Sequence, residues 1–208
     1  MLEPMIPENL PVLTALPEEK DVSDAILSGV VLSGESLRGW TLRRCVLRKC
    51  VLTGCDLHWA DWVNVWLEGC ELSSADLTDA TLERVVFQSC RLSGAEGVTM
   101  GLKHVQLLDC RADFFNLSGG KAEHLAFCGC KMPEMRIQGV KWKQVTFDNC
   151  DLTRLNLSHT PLQGIDMRTC VLNGWQVTVE DLRGMKVNAM QAASLARLMG
   201  LDVADEIL

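Results

Sequence analysis

Seven cysteines stand twenty residues apart in this chain: Cys50, Cys70, Cys90, Cys110, Cys130, Cys150 and Cys170. A helix repeats every ~3.6 residues and a strand every ~2, so neither element produces such a spacing. A solenoid with a twenty-residue coil does, because each coil sets its cysteine over the last. The cysteines therefore act first as a ruler, and only then as chemistry.

Twenty divides into four fives, and the smaller period is continuous. From Val22 to Val187, 34 positions taken in steps of five keep one register. All but Gly97, Ala112 and Ala122 are large and apolar, and twenty are leucine. Two residues before each lies a smaller apolar residue, such as Ala25, Val30, Cys45, Cys50, Cys55 or Ala60. Two residues after comes a turn, where twelve of the sixteen glycines fall. A tight corner has little room for a side chain and favours unusual dihedrals, which glycine supplies. Each five-residue unit is thus one side of a square coil, with its central residue and the one two before pointing inward. Neighbouring coils pair as parallel strands ~4.8 Å apart, giving about eight coils and a rod roughly 40 Å long.

The segments Ala75-Asp76-Leu77-Thr78-Asp79 and Cys150-Asp151-Leu152-Thr153-Arg154 carry a repeat that resembles the pentapeptide-repeat family, whose unit reads Ala-(Asp/Asn)-Leu-x-x. The resemblance implies an all-β solenoid, a right-handed quadrilateral β-helix. It divides the chain into a proline-rich N-terminal cap (1–21), the repeat (22–187) and a C-terminal segment (188–208). Pro4, Pro7, Pro11 and Pro17 cannot supply a full ladder of donors, so the N-terminal segment is expected to lie across the first coil. Trp40 and Trp175 take inward positions near the ends and are expected to plug them. Glu35 and Glu180 also fall on inward positions, where the core should fray.

Beyond Val187 the period stops. Asn188 and Gln191 form a capping pair, and Gly200 ends the helix between. Ala192, Leu195, Ala196, Leu198 and Met199 make an apolar stripe at helical spacing, which needs a surface to bury it. Two readings stand: a cap on its own coil, or a partner helix in a two-fold homodimer. The tail resembles that of family members that dimerise this way.

The chemistry-bearing residues do not converge. Stacked cysteines share one direction inside an apolar column with no histidine, which suits neither a zinc site nor a disulfide. Buried thiols acting as small hydrophobes account for them. Cys128 alone takes an outward position, as a candidate reactive thiol. His104 and His124 stack one coil apart in an outward column with Arg84, and no nucleophile or carboxylate pair joins them. The expectation is a non-enzyme with no cofactor and no metal. No export signal or membrane-spanning run precedes the repeat, so a cytoplasmic location with reduced thiols is expected.

Charge then separates the faces. One, through Leu42, Trp62, Leu82 and Leu102, bears eight basic residues against four acidic ones, with Glu83, Lys103, Glu123 and Lys143 alternating in one column. The face through Leu37, Leu57 and Leu77 has the opposite character, stacking Asp56, Asp76 and Glu96 on consecutive coils, with Asp79 beside them, as a candidate acidic interaction strip. The rod sums to about +2, so the net −7 of the chain arises at its ends and irregular positions. Trp59 and Trp66, with Phe114, are candidate aromatic anchors.

Within the family, this chain resembles the quinolone-resistance proteins, which bind DNA gyrase or topoisomerase IV as mimics of a duplex. The stretches carrying that likeness are Ala75–Ala80, Phe87-Gln88-Ser89-Cys90 and Asp109-Cys110-Arg111-Ala112, with Gln191–Leu195 and Leu198–Leu201 in the tail. No insertion interrupts the repeat, so the likeness is to the loopless type. It implies a type II topoisomerase as protein partner. The near-neutral rod fits a duplex mimic poorly, which keeps a scaffold with another protein partner open. Nucleic-acid binding through the basic face is the weakest alternative, and no membrane is implied.

Overall fold

The computed structural model describes residues 1–17 and 21–204; residues 18–20 of the expected cap and 205–208 of the tail lie outside the described residues. Short strands β1 (Val12–Leu13), β2 (Asp21–Ser23) and β3 (Ile26–Ser28) begin the fold. Six eight-residue strands follow: β4 (Thr41–Arg48), β5 (Asp61–Glu68), β6 (Thr81–Gln88), β7 (Gly101–Leu108), β8 (Lys121–Cys128) and β9 (Lys141–Asp148). Helix α1 (Ala189–Leu198) closes the chain. The strands are all parallel, in the order β1-β3-β4-β5-β6-β7-β8-β9, with β2 beside β4. Their register is the twenty-residue ruler itself, Thr41 opposite Asp61 and Asp61 opposite Thr81.

Each long strand spans two sides of a coil and bends where they meet, at Arg44, Asn64, Arg84, His104, His124 and Gln144, all at φ between 53° and 56°. The other two sides carry turns joined coil to coil by single bridges, such as Val51 to Glu71 and Asp56 to Asp76. The corners repeat without regard to residue type. Of the 33 corner positions from 24 to 184, 31 have positive φ, and 19 of those are not glycine. Thr99 and Trp59 are held in this left-handed region, at φ 58° in each case. The conformation is therefore imposed by the stacked coils, at a cost of order 1 kcal/mol or more per non-glycine corner.

Six coils, not about eight, have a complete long strand. The first carries two short strands, β2 and β3, on either side of the Asp24 corner, and the last two keep bridges on only some of their sides. Inside, the expected pattern is realised: Leu47, Leu52, Leu57, Trp62 and Leu67 are fully buried, and so are Cys55, Ala60 and Val65. Each such leucine contributes about 1.5–3 kcal/mol by leaving water. Gly97 breaks the apolar rule because its space is taken; an added Cβ there would lie 2.6 Å from Met100 Sδ and 3.0 Å from the Phe115 ring. Glu35 and Glu180 turn outward to solvent.

Trp40 is buried against Trp62 with ring centroids 6.0 Å apart, and Trp175 donates its indole N–H to Leu152 O at 2.8 Å. All ten cysteines are free, and nine are buried. The ladder thiols are more than small hydrophobes. Cys50, Cys70, Cys90, Cys110 and Cys130 each donate S–H to the carbonyl 23 residues earlier, at 3.3–3.5 Å. The sulfur thereby satisfies a carbonyl of the coil below.

The N-terminal segment does not simply lie across the first coil. Only its end does so, where β1 pairs with β3 and Ile26 N–H meets Pro11 O at 2.8 Å. Its beginning runs along the rod: Met5 N–H donates to Asn64 Oδ1 at 3.1 Å and Leu2 N–H to His104 Nδ1 at 3.3 Å. Proline lets it do so, because a segment with few donors cannot continue a ladder but can lie flat on a finished one. Beneath it, the outward residues Val46 and Val86 are buried and Trp66 is half-buried.

Candidate interaction surfaces

The acidic strip forms as a column. Bridges link Ser36, Asp56, Asp76, Glu96, Asn116 and Arg136 on successive coils, which sets their side chains one above another. Like charges stacked at strand spacing repel, and the structure shows how that repulsion is met. Arg38 reaches Asp56 at 2.9 Å, and Arg136 reaches Glu96 at 3.4 Å. His58 Nδ1 sits between two carboxylates, 2.9 Å from Asp56 and 3.4 Å from Asp76. Burial would raise the Asp56 carboxyl, yet Arg38 and His58 outweigh it and hold the group below its ordinary value. Asn116 donates to Glu96 at 2.7 Å, and Thr99 Oγ1 donates to Asp79.

The strip is therefore a set of hydrogen-bonded carboxylates interleaved with cations. The signal for Arg38, His58 and Arg136 was present in the register, since all three lie on the same side of the coil.

Trp59 and Trp66 are not brought together. Trp59 stands at the corner next to the strip, 56% exposed, with the Arg38 guanidinium stacked 4.4 Å from its ring centroid. Arg38 thus joins Trp59 to Asp56 in one patch. Trp66 lies on another face, in the apolar column beneath the N-terminal segment. Phe114 is 53% exposed at a corner of its own.

The basic face differs from its expected form. Of the alternating column, the Lys143–Glu123 rung closes at 3.7 Å, while Glu83 pairs with its neighbour Arg84. Arg43 pairs with Asp61, and Arg44 with Asp24 at 2.5 Å. Lys103, Lys121 and Lys141 have no ion-pair partner among the described residues. They line an open groove of about 1180 Å³, which ends where Trp142 meets the coil at Pro161.

His104 and His124 stack at 4.3 Å, but His104 is buried under the N-terminal segment rather than lying on the surface. Burial, then His124, lowers its pKa. Cys128 is exposed, yet burial and the carboxylates of Asp148 and Asp109 push its thiol up, which disfavours the reactive thiolate. Among the described residues, no three His, Cys, Asp or Glu side chains gather in a way that could hold a metal ion. No helix among them is long and apolar enough to cross a membrane.

At the far end, Asn188 and Gln191 make the expected capping box, and Gln191 also donates to Met167 O and Cys170 O at 2.7 and 2.8 Å. Gln191 and Leu195 bury themselves on the last coils, whereas Ala192, Leu198 and Met199 stay exposed. An open groove of about 430 Å³ runs beside them, floored by Leu182, Val187 and Leu195.

Residues 80–157 match the family described as pentapeptide repeat region, and residues 36–61 match that of pentapeptide repeats in eight copies. Among solved structures, the chain is 18% identical to QnrB1, a plasmid-mediated fluoroquinolone resistance protein, covering 94% of this chain and 97% of that one at a TM-score of 0.48. It is 18% identical to HetL of Nostoc sp. strain PCC 7120, involved in heterocyst differentiation regulation, covering 81% and 90% at a TM-score of 0.23. It is 14% identical to the pentapeptide repeat protein Rfr23 of Cyanothece 51142, covering 82% and 93% at a TM-score of 0.22. No curated protein gives a significant match.

Proposed function

Because this chain belongs to the pentapeptide-repeat family, we propose that it is a non-catalytic rod that recognises a protein partner through side-chain ladders on its surface. The observation that carries this reading is the division of the coil. Inward positions are consumed by packing, and the small cavity among Leu77, Met100 and Phe115 holds only about 20 Å³. Outward positions repeat every coil and offer a rigid, regularly spaced array. Such an array suits recognition, which gains from groups already ordered before the partner arrives.

The partner we place first is a type II topoisomerase, DNA gyrase or topoisomerase IV, engaged as a mimic of duplex DNA. The resemblance of Ala75–Ala80 and of the tail supports it, and so does the column Asp56, Asp76 and Glu96 with Asp79 and Trp59 beside it. The test is gyrase supercoiling under a fluoroquinolone, with purified protein titrated in. Relief of inhibition is expected, and a protein carrying Asp76→Lys and Glu96→Lys should relieve it at least about tenfold less well. No relief at any concentration removes the topoisomerase and leaves the scaffold reading with another protein partner.

We also propose that α1 joins two rods into a homodimer. Ala192 and Met199 are exposed along an open groove, Leu198 is exposed on the same helix, and a two-fold contact would bury them. Sedimentation should show a dimer that Leu198→Glu with Met199→Glu converts to monomer; a monomeric parent chain ends the idea.

A further inference from the structure

On the two strand-bearing faces, the sheet stops at β9 although the coil does not. No backbone-to-backbone hydrogen bond joins residues 140–149 to residues 160–169 among the described residues. At the two ends Val140 N–H and Asn149 N–H donate instead to the hydroxyls of Thr160 and Thr169, at 3.4 and 3.0 Å, while the other two sides continue through Asp151–Val171 and Asn156–Gln176. The sequence supplies the cause. At the first strand position of each coil, the N–H donates back to the coil below: Thr81 to Ala60 O, Gly101 to Ala80 O, Lys121 to Met100 O and Lys141 to Gly120 O, at 2.8–3.0 Å. The next residue in that series is Pro161, which has no N–H. The indole of Trp142 donates to Pro161 O at 2.7 Å, so a side chain spans the step that backbone spans elsewhere.

The result is an open edge eight residues long in the interior of a rod. Such an edge is a template for one more strand. Beside it lies the groove of about 1180 Å³, which a second space of about 390 Å³ along Thr146 and Asp148 extends around the corner. The charge there favours one kind of occupant. Lys121 and Lys141 are directly opposite on β8 and β9, a like-charge pair that an anion between them would relieve. With Lys103 and Lys143 they outnumber Glu83 and Glu123 along the groove.

We propose that this slot binds an extended acidic peptide, which adds to the edge of β9 as a strand and sets its carboxylates against Lys121 and Lys141. The slot is on a different face from the acidic strip and does not rest on the topoisomerase reading. An acidic strand fits better than nucleic acid because the slot presents an unpaired backbone edge, which a strand fills and a phosphate backbone does not.

The experiment uses the full chain and a fluorescein-labelled octapeptide of alternating glutamate and valine, followed by anisotropy at low salt. Binding is expected, with slowed hydrogen exchange across residues 141–148. Lys141→Glu, a surface change, should weaken it about tenfold. Pro161→Val, which restores the missing donor while leaving every charge in place, should weaken it by at least as much. Circular dichroism confirms that each variant is folded. The idea is overturned by absence of binding, or by equal binding of an alternating glutamate–proline octapeptide that cannot pair. Undiminished binding by folded Pro161→Val, or a short DNA duplex that binds where the peptide does not, overturns it equally.

Discussion

The coils from β4 to β9 and those after residue 160 obey the same inward rule but not the same backbone rule. Leu162, Met167 and Leu172 are as deeply buried as Leu42, Leu47 and Leu52. Yet the first group belongs to a continuous parallel sheet and the second hangs from it on two sides only. Two local features separate them. Pro161 withholds a donor at the start of the step. The only corner positions between 24 and 184 without positive φ, Thr169 and Val179, are β-branched and fall in the later coils. A β-branched residue enters the left-handed region only at a cost; the continuous sheet holds Thr99 there, while the later coils do not hold Thr169 or Val179. Apolar spacing alone therefore winds a coil, whereas donors and corner conformations convert wound coils into a sheet.

The strongest way to break that comparison is to move the defect. Lys121 occupies, two coils earlier, the position that Pro161 holds, and its N–H meets Met100 O at 2.9 Å. Lys121→Pro keeps the inward pattern untouched and strands a carbonyl within the stack. The expected loss is about 1–3 kcal/mol, the penalty for a buried polar group left unpaired. Urea unfolding should show the lower midpoint, and hydrogen exchange should quicken along β7. An unchanged midpoint would mean that the donor series does not control the ladder.

Much of the fold was legible because the register never slips, so the inward residues from Val22 to Val187 could be named from spacing, Glu35 and Glu180 excepted. The stacking of Asp56, Asp76 and Glu96 was equally legible, as was the capping pair Asn188–Gln191. What escaped was set by features that periodicity does not encode. The full-strand coils number six rather than about eight: the first coil carries only the three-residue strands β2 and β3, and Pro161 interrupts the later run. Pro161 was visible, but its effect depends on hydrogen bonding between coils rather than on polarity. The register placed Arg38, His58 and Arg136 on the side of the strip, but not which carboxylate each would reach, as Arg136 reaches Glu96 from two coils away. The burial of His104 came from a segment about a hundred positions earlier, and no local pattern announces that contact.

That contact gives the smallest expected effect and sharpens the comparison from the other side, since the N-terminal segment shelters the early sheet and leaves the later coils bare. Leu2 N–H donates to His104 Nδ1, which accepts only while that nitrogen carries no proton. The groups around it are His124, stacked at 4.3 Å, the N-terminal amine of the docked segment itself, Lys103 and Glu123. Burial first, then His124, lowers the His104 pKa below its ordinary 6.5. A histidine whose pKa is lowered by docking resists the proton in the docked state and takes it up in the released one. Docking is therefore intact above about pH 6.5 and weakens as pH falls below it. Hydrogen exchange of the first residues, corrected for its intrinsic pH dependence, should rise between about pH 7.5 and pH 5 while exchange across β5 and β6 stays flat. His104→Gln, which keeps an acceptor but does not titrate, should remove that rise. Release would uncover Val46, Trp66 and Val86, so the same acid shift should increase binding of a hydrophobic dye, and a pH-independent segment would show that the corner histidine is only a surface on which it rests.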